Sequence, residues 1–499
     1  LRDGRVEFEI VRKDILARIG KLKVKGKTIE TPTLLPVINP WKMTIKPKEL
    51  WRNGFKALIT NAYLLWKRDR EDVLRNGIHS YLNFPGMIVT DSGAYQILKY
   101  GSIEITQDEI LNFQIGIGAD IGVILDIPTR GESREEAEKS IEETIVRARE
   151  AQRIIQDTDM GWIGPIQGGG YIDLLEKAAT EMEKMSFDIY AVGSPTIILE
   201  RYDYPTLVDM ILSVKRVVKP SHPLHLFGAG HPAMLGLAVA LGCDLFDSAA
   251  YALFAYDNRY LTENGTLRLE EIEEFPCVCP ICRTYKPKEV LKMEKSDRER
   301  LIALHNLFKT QEELRRVKES IRRRRLWEYL EVRTTSHPSL RDAFKRMVKY
   351  NDFIEQEAPQ WSEKGIFILS DISSYRPEVV GFRKKLERYR KRRRRRCTLV
   401  IGEINEEIKI RHYKEKVDLY VFKPPYGAVP STLLEAYPMG KTEITTSLPT
   451  HTIIESLKEA IDFLKEKYNE VRILVENEEI KTLLKEIQIK TRTILEEMK

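Results

Sequence analysis

The chain is poor in cysteine, with five among 499 residues, and three of those are crowded into "CVCPIC". That is too few and too clustered for a disulfide framework, and the crowding points to a metal. No apolar run approaches the length of a bilayer crossing, so the sequence offers no membrane span. The N-terminal "LRDGRVEFEI" lacks the order of a signal peptide, and a cytoplasmic location is the expectation. A strong charge imbalance is also missing: 81 basic and 75 acidic residues leave a formal net charge of +6. Glutamine is scarce beside Lys, Arg and Glu, a composition that leans towards a thermophile. What is present is length, enough for a large core and more than one domain.

Between residues 33 and 250, short apolar runs recur: "TLLPVIN", "KALITN", "GMIVTDSG", "IGVILDIP", "WIGPIQGG", "IYAVGS", "LHLFGAG" and "DLFDSA". Stretches with helical periodicity mostly separate them, such as "SREEAEKSIEETIVRAREAQRIIQ". Strands alternating with helices imply parallel pairing through crossovers. Eight such units fit an α/β fold of the (β/α)8 TIM-barrel type, with an open doubly wound sheet as the rival. Each run ends in a polar or small residue, among them Asn39, Asn61, Asp91, Asp126, Gln167, Gly193-Ser194, Gly228 and Asp247. In a parallel barrel these ends share one rim, where barrel enzymes keep their active sites. The plainer role for one such carboxylate is to cap the following helix. Several acids spread over eight ends are less readily explained that way.

"FPCVCPICR" places Cys277, Cys279 and Cys282 in a Cys-x-Cys-x2-Cys run, and His305 follows within a helix-like stretch. Three thiolates and an imidazole make a closed tetrahedral zinc set with no position left for water, so the expectation is one structural Zn2+ within an inserted segment, 270–310. Cys243 and Cys397 have no close partners and read as ordinary residues.

Together, "DSGAYQ" (91–96), "DIPT" (126–129), "PIQGG" (165–169), "YAVGSP" (190–195), "HLFGAGHP" (225–232), "FDSAAYALFA" (246–255) and "CVCPIC" with His305 resemble the tRNA-guanine transglycosylases, specifically their archaeal branch. The resemblance implies an enzyme that removes guanine at position 15 in the D-arm of tRNA and installs 7-cyano-7-deazaguanine (preQ0), a step towards archaeosine. It implies a structural zinc and no ATP or redox cofactor. A non-catalytic tRNA-binding paralogue or subunit of the same fold is the alternative, against which stand Asp91, Asp126 and Asp247, all present.

Exchanging one base for another with retained stereochemistry calls for two displacements, as in retaining glycosidases: one carboxylate holds the sugar and a second group moves the proton. The strand ends offer Asp91 and Asp247. The sequence does not separate the two roles; the resemblance implies Asp247 as nucleophile and Asp91 as general acid/base. Asp126 suits the donor edge of guanine, while Gln167 and the Gly193 N–H suit O6. Gly168 allows close backbone approach, Ser92 and Ser194 join the pocket, and Tyr95 is a candidate for stacking on the purine.

Extruding a base from folded RNA must be offset by contacts elsewhere. Arg322, Arg323, Arg324 and Arg325, with Arg392, Arg393 and Arg394 in "RYRKRRRRRC", are the expected phosphate contacts, because runs of unmatched arginine are costly without an anion. A pause at "QEAPQWSEKG" suggests a catalytic domain over 1–361, then small α/β accessory domains over 362–440 and 441–499. The chain closes on the helix-like "EIKTLLKEIQIKTRTILEEMK" in place of the RNA-binding PUA module common in the archaeal branch. The resemblance therefore implies a form lacking that domain, which either has a separate PUA-bearing protein as a partner alongside tRNA or binds tRNA without the module, and a homodimer.

Overall fold

A computed structural model describes residues 5–94, 96, 104–129, 133–388, 395–446, 448–475 and, as backbone, 493–497. The chain divides into two compact units, Leu1–Tyr350 and Asn351–Lys499.

In the first unit, eight parallel strands close into a barrel in the order β10-β11-β4-β5-β6-β7-β8-β9. An antiparallel meander precedes them: β1 (Val6–Asp14), β2 (Ala17–Val24) and β3 (Lys27–Thr31). The barrel strands are β4 (Thr33–Ile38), β5 (Ala57–Asn61), β6 (Met87–Asp91), β7 (Ile121–Val123), β8 (Gly161–Ile166), β9 (Ile189–Val192), β10 (Leu224–Leu226) and β11 (Leu245–Ser248). Each coincides with one of the eight apolar runs, and the open-sheet rival is excluded by the closure between β9 and β10. The interior is filled by aliphatic residues such as Leu35, Ile59, Val89, Ile121, Ile163 and Leu245, as a barrel without a pore requires.

The meander plugs the lower end of the barrel. Leu22, Val24 and Ile29 join the interior cluster, and a repeated electrostatic device holds them there. Asp120, Asp188 and Asp244, just ahead of β7, β9 and β11, each accept the backbone N–H of a residue in the preceding strand: Ile88 at 2.7 Å, Trp162 at 2.9 Å and Leu224 at 2.8 Å. Each also meets a cation of the N-terminal segment: Lys27 at 2.7 Å, Arg5 at 2.9 Å and Arg18 at 2.7 Å. The Arg18–Asp244 pair is almost fully buried, where losing one partner would strand a charge in the interior. With this end sealed, the C-terminal ends of the strands are left as the working rim.

After the barrel, β12 (Arg259–Leu261) and β13 (Thr266–Arg268) form an antiparallel pair. In the second unit, β14 (Ile366–Ile368) pairs with β18 (Thr442–Ile444), and β15 (Arg396–Ile401), β16 (Asp418–Lys423), β17 (Gly427–Pro430), β19 (Glu470–Val475) and β20 (Thr493–Glu497) form a five-stranded sheet. The boundary falls at Tyr350/Asn351, somewhat before the expected 361/362. The expected division at residue 440 cuts through both sheets, because β18 pairs with β14 and β19 pairs with β15. The terminal stretch expected to be helical ends instead in β20, which adds in parallel to β19. Its β-branched Thr493 and Ile494 suit an edge partner.

Candidate active site

Asp91 closes β6, and its register partner on β5 is Asn61. Asn61 divides its amide between two tasks. Its Oδ1 caps the helix Ala62–Asn76 by accepting from the Leu64 N–H at 2.9 Å, while Nδ2 donates to Asp91 Oδ2 and to Gln96 Oε1, both at 2.8 Å. Asp91 itself accepts from the Asn61 amide and the Gly93 backbone N–H at the rim end of β6. Burial pushes its carboxyl up to about 7, with the negative charges of Asp126 and then Asp247 adding to the rise, against hydrogen bonds from the Gly93 backbone and Asn61. Those two charges act on Asp91 because the closed barrel turns the ends of β6, β7 and β11 towards one another. A carboxyl that titrates near neutrality can both give and take a proton.

Asp247 lies in β11, beside Leu35 of β4. Its Oδ1 accepts from the Gly228 N–H at 3.0 Å, and His225 Nε2 lies 2.9 Å from the same oxygen. Both contacts engage Oδ1 and hold the carboxylate at the end of β11. His225 reads from sequence as a packing residue; the structure places it, fully buried on β10, against Asp247. Its position in the middle of β10 (Leu224–Leu226) carried no signal of that contact, which joins two different strands.

Asp126 follows β7 and is buried. Burial raises its carboxyl to about 6, opposed chiefly by the Gln167 amide. Gln167 Nε2 donates to Asp126 Oδ2 at 2.5 Å, and its Oε1 accepts from Ser194 Oγ at 2.7 Å and the Thr129 N–H at 3.3 Å. Gly193 is needed for this: a Cβ there would lie 2.4 Å from Gln167 Nε2. Gln167 therefore aligns Asp126 and Ser194, and its Oε1 is already engaged. At Gly168, φ is +157° and a Cβ would meet Leu175 at 2.8 Å, so packing explains that glycine. Ser92 is fully buried, and its hydroxyl has no hydrogen-bond partner among the described residues. Tyr95 lies outside the described residues, as do Arg392, Arg393 and Arg394.

The metal-ligating set also assembles. The ligand atoms of Cys277, Cys279, Cys282 and His305 all lie within 4.8 Å of one another. His305 Nδ1 is 3.3 Å from Cys282 Sγ and 3.5 Å from Cys279 Sγ, while Nε2 lies 2.8 Å from the Leu261 carbonyl. A carbonyl can only accept, so Nε2 carries the proton and the Nδ1 lone pair faces the thiols. Tyr260 stacks on the imidazole at 3.6 Å, and its hydroxyl reaches Cys282 Sγ at 3.2 Å. The set could hold a metal ion.

The arginine cluster 322–325 is placed differently from the expectation behind it. Arg322 pairs with Glu30 at 3.1 Å, Arg323 with Glu319 at 2.7 Å and Arg325 with Glu328 at 3.3 Å. Glu30 belongs to β3 of the meander that plugs the lower end of the barrel, away from the rim. The supposed excess of unmatched charge is therefore largely compensated within the protein.

A carboxyl tuned near neutrality, facing a second carboxylate fixed by a backbone donor on a (β/α)8 rim, is the equipment of a group-transfer enzyme. The chain belongs to the tRNA-guanine transglycosylase family: the family model described as "TGT: Queuine tRNA-ribosyltransferase" matches residues 14–339. It is 39% identical to the tRNA-guanine(15) transglycosylase of Sulfolobus acidocaldarius, over 94% of this chain and 95% of that protein. The protein of the same name from Saccharolobus solfataricus is 39% identical over 94% and 96%. That of Methanocaldococcus jannaschii is 41% identical over 94% of this chain and 73% of its own length. Among the described residues, no helix is long and apolar enough to cross a membrane.

Proposed function

We propose that this chain replaces guanine at position 15 of tRNA with preQ0 by double displacement, in keeping with the relatives named tRNA-guanine(15) transglycosylase. Asp247 Oδ2 attacks C1′ of the target ribose, the C1′–N9 bond breaks, and Asp91 delivers its proton to the departing guanine. The ribosyl ester then accepts the incoming base: Asp91 removes its N9 proton, N9 bonds to C1′, and the ester bond returns its electrons to Asp247. Stereochemistry is retained because inversion occurs twice. The observation that carries the reading is the asymmetry of the two acids. Burial and two facing carboxylates push Asp91 up to about 7, the value suited to moving a proton, whereas a backbone N–H fixes Asp247 for attack.

Asp126, aligned by Gln167, accepts from N1–H and the exocyclic amine of the guanine edge, and adenine lacks that donor pair. The orphaned Ser92 hydroxyl gains a partner when the base binds; leaving it unpaired costs about 1–3 kcal/mol. The test is incubation with tRNA and labelled preQ0, followed by digestion and mapping. Label at position 15 alone is expected. Label in the anticodon loop, or none, would contradict the assignment.

Zinc suits the Cys277, Cys279, Cys282 and His305 set by ligand type and spacing, since thiolates about 2.3 Å from a tetrahedral zinc lie about 3.8 Å apart. Bound there, zinc ties the Cys277–Cys282 loop to the helix Lys295–Arg322, a purely structural contribution. Val278, between Cys277 and Cys279, is exposed, as are Trp41, Leu253 and Tyr256, apolar side chains available to a second copy of the chain. Native mass spectrometry reads both properties: a two-chain particle with one zinc per chain is expected. A metal-free or single-chain particle would refute the corresponding half. Cys279→Ser should lose the zinc and lower the melting temperature.

A further inference from the structure

Where the loops after β9 and β10 extend lies a cavity of about 170 Å³, lined by Tyr202, Tyr204, His231, Asn264, His337 and Leu340 among others, with no carboxylate among its described lining residues. Its two histidines are tied in the same way. His231 is the N-cap of the helix Pro232–Ala240, and its Nδ1 accepts from the Ala233 N–H at 3.2 Å. His337 is the N-cap of Pro338–Arg346, and its Nδ1 accepts from the Ser339 N–H at 3.2 Å. With Nδ1 accepting, the proton of each neutral ring sits on Nε2, and no described residue partners either Nε2. Burial, then the positive charges of Arg333 and Arg259, hold His231 neutral by lowering it to about 4. Asn264 is fixed by Arg333, whose Nη1 donates to its Oδ1 at 2.9 Å, so its amide N–H groups are also left to donate. The face of Tyr202 stacks on His337 at 5.5 Å, and the ring is 44% exposed.

All three oriented groups are donors and the surrounding field is positive, so the cavity calls for an anionic oxygen ligand. Its position says which. The loop after β9 that carries Gly193 and Ser194 runs on through Thr196–Glu200 to Tyr202. The loop after β10 donates from Gly228 to Asp247, packs Gly230 against Ser248, and reaches His231. The walls of the cavity thus grow directly out of the base site. We propose that this cavity binds a backbone phosphate of the tRNA strand adjoining the target nucleotide, through Nε2–H of His231 and His337 and the amide of Asn264. This rests on the base-exchange reading, and it assigns phosphate contact to the rim, where the matched cluster 322–325 does not lie.

Asparagine remains a good N-cap while withdrawing the Nε2 donor from the cavity, so His231→Asn/His337→Asn separates binding from folding. With melting temperature unchanged, KM for tRNA should rise about tenfold, as for loss of charge-assisted hydrogen bonds, with kcat and the KM for preQ0 unchanged. A tRNA bearing methylphosphonate linkages flanking nucleotide 15 should impair the wild type by a similar factor and the double variant no further. An unchanged KM for tRNA in the folded double variant, or equal methylphosphonate penalties in both proteins, would overturn the proposal. So would loss of guanosine monophosphate binding with KM for tRNA intact, which would assign the cavity to a free nucleotide. Absence of exchange by the wild type would instead sink the functional reading, and tRNA affinity measured by gel shift would still judge the cavity.

Discussion

Asp247→Ala is expected to lower kcat for guanine exchange by at least about a thousandfold, because without the carboxylate no ribosyl ester forms and the barrier returns to that of direct displacement. tRNA affinity should change little, since Asp247 contributes one oriented oxygen to a large polyanionic ligand. The substitution leaves the Gly228 N–H without its acceptor at 3.0 Å and removes the carboxylate that His225 Nε2 approaches to 2.9 Å. His225→Ala is therefore the informative companion, because it retains the nucleophile while releasing its orientation. Radiolabelled guanine incorporation under single-turnover conditions measures both. A kcat within about tenfold of wild type for Asp247→Ala would remove the residue from the chemistry.

Asp91→Asn should be nearly as damaging, by about 100- to 10,000-fold, the range that general acid–base catalysis supplies. It should also change the shape of the pH profile. Burial and two neighbouring acids disfavour the charged form, so the carboxyl keeps its proton up to about 7. Departure of guanine consumes the protonated form. On the alkaline side, kcat/KM for tRNA should therefore fall about tenfold per pH unit once the pH passes that value. In Asp91→Asn the residual rate should be flat across the same range. An alkaline limb that survives the substitution would mean that another group gives the proton.

Much of this architecture was legible because barrel strands have a simple signature. A run buried on both faces is apolar without alternation, and it stops where the rim begins, so "GMIVTD" and "DLFDSA" announced both a strand and the rim at which it ends. The Cys-x-Cys-x2-Cys spacing was legible for a similar reason: the ligands are local, and only His305 had to be brought in. What escaped was set by contacts between distant segments. The meander Val6–Thr31 earns its place through Arg18 and Asp244, and Arg322 is neutralised by Glu30, 292 residues away in the chain. An arginine run looks unmatched until the fold supplies its partners. His225 and His231 sit in one motif, yet the first faces Asp247 and the second a separate cavity, a division fixed by strand and loop geometry rather than by spacing. The strand at Thr493–Glu497 was hidden because the charged residues around it keep helical periodicity, while pairing with β19 decides its conformation.

Double displacement requires a covalent bond between Asp247 and the target ribose. Trapping that bond is the most direct measurement: wild-type enzyme is incubated with tRNA, quenched in denaturant and digested, and the modified peptide is sequenced by mass spectrometry. A ribosyl adduct is expected on the peptide containing Asp247, absent from Asp247→Ala. An adduct on Asp91, or one that persists undiminished in Asp247→Ala, would contradict it.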